Sequence, residues 1–247
     1  MATPTPRNPI PTSKAACSSC RLRELCLPIG LDQDGLGRLD SLINRRQRVR
    51  AGQHIYRAGN PFHFLYAIRS GFFKAYAVDN EGFERINGFH MGGEIMGLDA
   101  ISEDVHTSHA VALEDGEVCE IPFASLEDLI REVPPLQHQF HKIMSREIAQ
   151  DHHVMKLLGS MTAEQRLVVF LLNLSARFAA LGFSSTELHL KMSREEIGNY
   201  LGLKLETVSR TFSKLQADGF IDIDRRQVAI HNLEKLKRLI DFTACGH

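Results

Sequence analysis

No stretch of this 247-residue chain approaches the ~20 consecutive apolar residues that a membrane-crossing helix needs, which excludes a bitopic or polytopic helical protein. The lead from Met1 to Pro11 is rich in Pro and Thr and has no apolar segment, which argues against a secretory signal. The expectation is a cytoplasmic, reducing location and no membrane partner. Charge of one sign is also missing. Lys and Arg number 29 against 30 Asp and Glu, so the whole chain does not advertise a polyanionic partner, and any basic surface must be local. Cysteine is scarce, at five residues. With 43% hydrophobic and 24% charged residues, the chain can build two modest domains around a real core without disulfide staples. There is no internal repeat, no low-complexity tract beyond the lead, no P-loop, no Ser/His/Asp triad and no catalytic carboxylate pair. The expectation is a binding protein, not an enzyme.

The few cysteines are not scattered. Cys17-x2-Cys20-x5-Cys26 opens the chain at a metal-ligand spacing, and Cys119 stands alone far downstream. In a reducing compartment, short-spaced cysteines are more often ligands or redox groups than disulfides. Four thiolates can complete a tetrahedral zinc site or hold an iron–sulfur cluster. The five-residue interval suits zinc knuckles less well, a mild push toward a cluster. Cys119 by itself could equally be a small buried hydrophobe. Cys245, in the tail, carries no expectation, and the twelve histidines add little: His138, His141, His152 and His153 fall on the long helix, mostly as solvated polar positions, and none is expected to be a ligand.

Texture divides the rest. Residues 1–30 form the lead and the cysteine-bearing loop, and a short helix is expected from Gln33 to Asn44 with Leu36, Leu39, Leu42 and Ile43 as its apolar face. From Gln47 to Pro122, short β-rich runs (His54–Tyr56, Phe64–Ile68, Phe72–Val78, Arg85–Met91, His109–Leu113, Val118–Ile121) alternate with Gly, Asn and Asp, the pattern of a sandwich or barrel. Pro134-Pro135 opens a long helix that Gly159 is expected to end, and Thr162 to Leu181 reads as another amphipathic helix. The resulting division is 1–30, 31–133, 134–159 and 160–247.

In the last block, Ser193-Arg194-Glu195-Glu196 has the form of a capping box, so a helix starts at Ser193 and Gly202 breaks it. A second helix buries Val208, Phe212 and Leu215 and turns Glu206, Ser209, Arg210 and Ser213 outward. Two short helices around a Gly turn, the second with polar residues at its front, follow helix-turn-helix logic. Arg can take guanine bidentately, and Glu can accept from cytosine N4. Phe220–Ile223 and Val228–Ile230 flank Arg225-Arg226, a wing whose arginines suit phosphates. The bland reading is a small helical subdomain with a solvated face. The crowding of Lys191, Arg194, Lys204, Arg210, Lys214, Arg225 and Arg226 into one block favours double-stranded DNA.

On the long helix, Met144, Ile148, Asp151, Met155 and Leu158 follow a 4-3-4-3 spacing, the seam of a helix that pairs with its twin. Asp151 interrupts that seam. Two facing carboxylates would weaken a homodimer; alternatively Asp151 lies on the rim and only sets register.

Taken together, these residues resemble the CRP/FNR superfamily of bacterial transcription regulators, and within it the fumarate and nitrate reduction regulators most closely. The resemblance spans nearly the whole chain beyond the lead. It rests on the Cys17, Cys20, Cys26 and Cys119 set and on Glu206-Thr207-Val208-Ser209-Arg210, an E-x-x-S-R recognition signature. It implies an α+β fold: a cyclic-nucleotide-binding-like β jelly roll, a long dimerisation helix and a C-terminal winged helix-turn-helix. It further implies a [4Fe–4S] cluster on the four cysteines, loosened dimerisation when oxygen destroys that cluster, and palindromic TTGAT-type operators read by Glu206, Ser209 and Arg210. Asp151 falls where this family carries an acid opposing dimerisation, and the loop near Gly82 is a candidate contact for RNA polymerase. Where cyclic-AMP receptors carry Gly-Glu and an Arg-Ser pair, this chain reads Gly97-Leu98-Asp99 and His106-Thr107, so no cyclic-nucleotide response is expected. Arg21 follows Cys20 where many relatives have a small residue; it either tunes the cluster's charge or points to water. Two other readings stay open: a zinc-stabilised DNA-binding protein without sensing, and a Cys17-x2-Cys20 thiol redox enzyme, which would want a βαβ context not evident here.

Overall fold

The computed structural model of the protein describes residues 16–43 and 45–241. A run of turns leads into helix α1 (Gln33–Leu42), whose first turn is capped by the Asp32 side chain accepting from Gly35 N–H at 2.8 Å. The expected end of this helix at Asn44 lies outside the described residues. Eight strands follow: β1 (Arg45–Val49), β2 (His54–Tyr56), β3 (Phe64–Ser70), β4 (Phe72–Val78), β5 (Glu84–Met91), β6 (Ile95–Met96), β7 (His109–Ala112) and β8 (Gly116–Pro122). They form two four-stranded sheets in the orders β1-β8-β3-β6 and β2-β7-β4-β5. Val49, Tyr56, Tyr66, Ile68, Phe73, Met96, Ala110, Ala112 and Val118 fill the space between strands of both sheets, so this is the expected β roll with an apolar interior.

Three helices come next: α2 (Phe123–Glu132), α3 (Pro134–Ser160) and α4 (Ala163–Ala180). The C-terminal block contains β9 (Glu187–His189), α5 (Arg194–Leu201), α6 (Leu205–Ala217), β10 (Ile221–Asp224), β11 (Gln227–Ile230) and α7 (Leu233–Asp241). The chain divides into two compact units. One comprises the described residues up to Phe73 with His90–Phe140; the other comprises Lys74–Phe89 with the described residues from His141 onward.

The structure corrects the sequence reading in four places. β1, Arg-Arg-Gln-Arg-Val, has no apolar alternation because it is the edge of its sheet, where charged side chains discourage pairing with foreign strands. α2 buries Leu126 and Leu129 in a stretch left unassigned between the last strand and Pro134. Gly159 does not end α3, which runs on to Ser160; the break comes from Thr162, which caps α4 in a reciprocal box with Gln165. The wing is three-stranded, in the order β10-β11-β9, not a simple hairpin.

Gly71 joins β3 to β4 at φ +93, and a Cβ there would lie 2.8 Å from the Gly116 Cα. Backbone cannot yield as a flexible side chain can. Gly71→Ala is therefore expected to destabilise the protein by about 2 kcal/mol or more, measured by urea unfolding. A loss under about 0.5 kcal/mol, the range of ordinary surface changes, would contradict this packing.

Candidate metal centre and nucleic-acid interface

The cysteine-bearing segment has neither helix nor strand; it is a succession of turns closed by Cys20 N–H to Cys17 O (3.1 Å) and Cys26 N–H to Leu22 O (3.1 Å). Its position is set from outside. Asp40, on α1, accepts from the Cys17 N–H and, at 2.6 Å, from the Ser18 hydroxyl. Leu27 is fully buried, and Leu25 lies over Gly93 so closely that a Cβ on Gly93 would come within 2.9 Å of it. Gln139, a buried residue on α3, donates its side-chain N–H to the Cys26 carbonyl at 3.1 Å. The loop is thereby tied to α1 and to α3.

Cys119 sits on β8, an interior strand, directly across from Arg46 on β1 and Ala67 on β3. Its neighbour Val118 points into the roll, so Cys119 points away from it. All four cysteines are half-buried and none is in a disulfide. Burial raises the Cys17 thiol far above its ordinary value, and Cys26, Asp40, Cys119 and Cys20 each raise it further. Cys119 is pushed up to about 11, chiefly by burial; Cys20 and Glu117 act the same way, while Arg46 and Arg69 oppose them.

Thus the fold gathers the four predicted thiols into one neighbourhood. It does not bring them to ligation geometry: among the described residues no three Cys, His, Asp or Glu side chains converge closely enough to hold a metal ion. Three of the four lie on a segment without regular structure to fix their side chains. In kind the donor set fits a soft metal or an iron–sulfur cluster, with Arg46 and Arg69 placed to offset thiolate charge. Arg21 is exposed, and Cys245 lies outside the described residues. Cys17-x2-Cys20 does not open a helix, which removes the usual support for a thiol redox motif. Sequence reasoning missed Asp40, Gln139, Arg46 and Arg69. Only strand register and docking reveal them.

On α3, Met144 is half-buried, whereas Ile148 and Met155 are 55% and 61% exposed. The side chains of Asp151 and Leu158 lie outside the described residues. Large apolar side chains seven positions apart on one helix leave a stripe that water does not favour.

The helix pair is built as the sequence implied. Ser193 and Glu196 form the capping box of α5, and Gly202 ends it at φ +62. Val208, Phe212 and Leu215 are buried on α6, while Glu206, Ser209 and Arg210 are exposed. The Arg194 guanidinium lies 3.3 Å over the Phe212 ring, and burial lowers its pKa to about 10. Arg225 and Arg226 are exposed at the wing turn; Arg225 adopts φ +53, and Arg226 turns one nitrogen back to the Lys191 carbonyl at 3.3 Å. The same unit contains the 74–89 hairpin. Lys74 bridges Glu84 (3.2 Å) and Glu196 (3.1 Å), and the Asn199 side chain donates to Glu84 O and accepts from Ile86 N–H. Phe89, Phe170 and Tyr200 pack ring against ring beside the Arg177 bond to the Phe89 carbonyl.

Comparison with known proteins places both halves. The cyclic nucleotide-binding domain family matches residues 46–133, and the Crp-like helix-turn-helix domain family matches residues 165–239. The chain is 47% identical to the transcriptional regulatory protein btr of Bordetella pertussis, over 97% of this chain and 99% of that protein. It is 42% identical to the fumarate and nitrate reduction regulatory protein of Escherichia coli K12, over 92% of this chain and 91% of the relative. Among solved structures, FixK2 from Bradyrhizobium japonicum superposes with a TM-score of 0.72 at 31% identity, covering 78% of this chain and 96% of that one.

The turn between α5 and α6 depends on Gly198, where a Cβ would lie 2.6 Å from the Leu203 carbonyl oxygen and 3.3 Å from Val208. Gly198→Ala should force the two helices apart. The expected result is a loss of about 2 kcal/mol in thermal or urea unfolding and at least a tenfold weaker specific DNA complex by fluorescence anisotropy. Unchanged DNA affinity would contradict the close-approach argument.

Proposed function

The chain belongs to the CRP/FNR family of transcription regulators, and from that premise we propose that it is a cytoplasmic oxygen-responsive regulator that binds DNA as a homodimer. The observation that carries this reading is that Cys17, Cys20 and Cys26, on a loop hydrogen-bonded to α3 through Gln139, lie in one neighbourhood with Cys119 on β8. Those four thiols would hold a [4Fe–4S] cluster, which when bound supplies sensitivity to oxygen that thiols alone lack. Arg46 and Arg69 temper the charge at Cys119, Asp40 fixes the start of the loop, and Gln139 conveys the position of Cys26 to α3.

On α3, Met144, Ile148, Met155 and Leu158 form the pairing seam, and Asp151 sets it near balance, so a small change at the loop shifts the monomer–dimer population. A homodimer presents two copies of α6 one DNA turn apart, which suits a palindromic TTGAT-type operator. Glu206, Ser209 and Arg210 read base edges, and Arg225 and Arg226 hold phosphates. Val78 and Phe83, 47% and 60% exposed on the hairpin around Gly82, suit a contact with RNA polymerase. Neither a cyclic nucleotide nor a membrane enters this scheme.

The test is operator affinity without oxygen and after air, for the wild type and Asp151→Ala. The anaerobic wild type should bind the palindrome tightly, with affinity falling steeply as salt rises. Air should weaken it at least tenfold, while Asp151→Ala should remain dimeric by sedimentation and keep its affinity in air. Equal affinity of the wild type in both atmospheres would sink the oxygen response; an unchanged monomer–dimer equilibrium in Asp151→Ala would sink the role of Asp151.

A further inference from the structure

The β roll contains a built anion cradle. Four donors converge on one oxygen, Asp99 Oδ2: the Thr107 N–H (3.0 Å), the Thr107 hydroxyl (3.1 Å), the Ser108 N–H (3.0 Å) and the Ser108 hydroxyl (2.9 Å). The other carboxylate oxygen lies 3.7 Å from His106 Nδ1. His106 is 3% exposed, stacked flat on Tyr56 at 3.8 Å and edge-on to Phe62. Two adjacent backbone N–H groups and two hydroxyls aimed at a point are what a protein offers to an external carboxylate or phosphate. Here the occupant comes from the chain itself, eight and nine residues away.

We propose that Asp99 is an internal ligand: its carboxylate occupies the oxyanion cradle of a nucleotide-binding-like domain and closes the 97–108 loop, so that no small anion is required or admitted. The surroundings agree. The segment is pinned at its far end by reciprocal backbone bonds, His106 N–H to Asn60 O (3.0 Å) and Gly59 N–H to His106 O (2.9 Å). Burial opposes its ionisation, but His106 and Ser108 hold the Asp99 carboxyl down to about 2, so the group filling the cradle is charged at neutral pH. Turned inward, the same donors that would select an anionic effector become a structural clasp. The loop is thereby preset, and signalling is left to other parts of the chain.

The test is chemical rescue in the full-length protein. Asp99→Ala removes the equivalent of one formate ion, so thermal melting is followed in sodium formate and in sodium chloride of equal ionic strength. Asp99→Ala should melt about 5 °C or more below wild type, and formate but not chloride should restore at least half of that loss. Wild type should respond equally to both salts. Adding Ser108→Ala to Asp99→Ala should abolish the rescue. If Asp99→Ala does not fold, Asp99→Asn keeps the shape without the charge and should show the same lowered midpoint. A midpoint within about 1 °C of wild type in the variant that folds, or destabilisation of Asp99→Ala that formate does not relieve, would overturn the proposal.

Discussion

Four thiols drawn from two distant stretches of chain share one half-buried neighbourhood, and the other three make Cys17 harder to ionise. This constraint shapes the cysteine-bearing part of the β-roll unit. Burial and neighbouring sulfur push Cys17 upward, and Cys119 would follow further without Arg46 and Arg69 nearby. A segment without helix or strand cannot hold such a position by itself. It is held by Asp40 from α1, by the burial of Leu27, and by Gln139 from α3. The last of these matters most for function. A hydrogen bond to a buried side chain on the long helix links the backbone at Cys26 to the element that carries the exposed apolar stripe of Ile148 and Met155.

The DNA-binding unit is stiffened differently. Its first helix is capped by Ser193 and Glu196, and Glu196 is engaged again by Lys74 from the hairpin. Asn199 binds the hairpin backbone with both ends of its amide. Arg194 stacks on Phe212, and Gly198 lets α5 approach the turn before α6. These contacts hold α6 so that Glu206, Ser209 and Arg210 stay exposed together on one helix. Recognition of a groove rewards this rigidity, because a side chain that reads a base edge must arrive already placed.

Much of this was legible in the sequence because its signals are local. The capping box at Ser193, the i, i+4, i+7 burial of Val208, Phe212 and Leu215, and the strands β2 and β4 follow from short-range pattern. β1 was hidden because four of its five residues are polar, the mark of an edge strand that imitates a loop. Helix α3 outlasted Gly159 because one exposed glycine costs only about 1 kcal/mol, too little to stop a long helix. The cysteines were found by spacing, but Arg46 could not be: it stands 73 positions from Cys119 and meets it only through the register of β1 on β8. Asp99 was noticed for the residue it replaced, whereas its four bonds to Thr107 and Ser108 needed the folded loop.

The central claim is that the four cysteines hold an oxygen-labile cluster. The most direct measurement is iron and acid-labile sulfide content with the visible spectrum of protein purified without oxygen, repeated after air is admitted. The account predicts near-equal iron and sulfide, a broad visible absorption that bleaches in air, and loss of both in Cys119→Ser. A colourless, air-stable protein containing zinc or no metal would contradict it, leaving a DNA-binding regulator whose signal enters elsewhere.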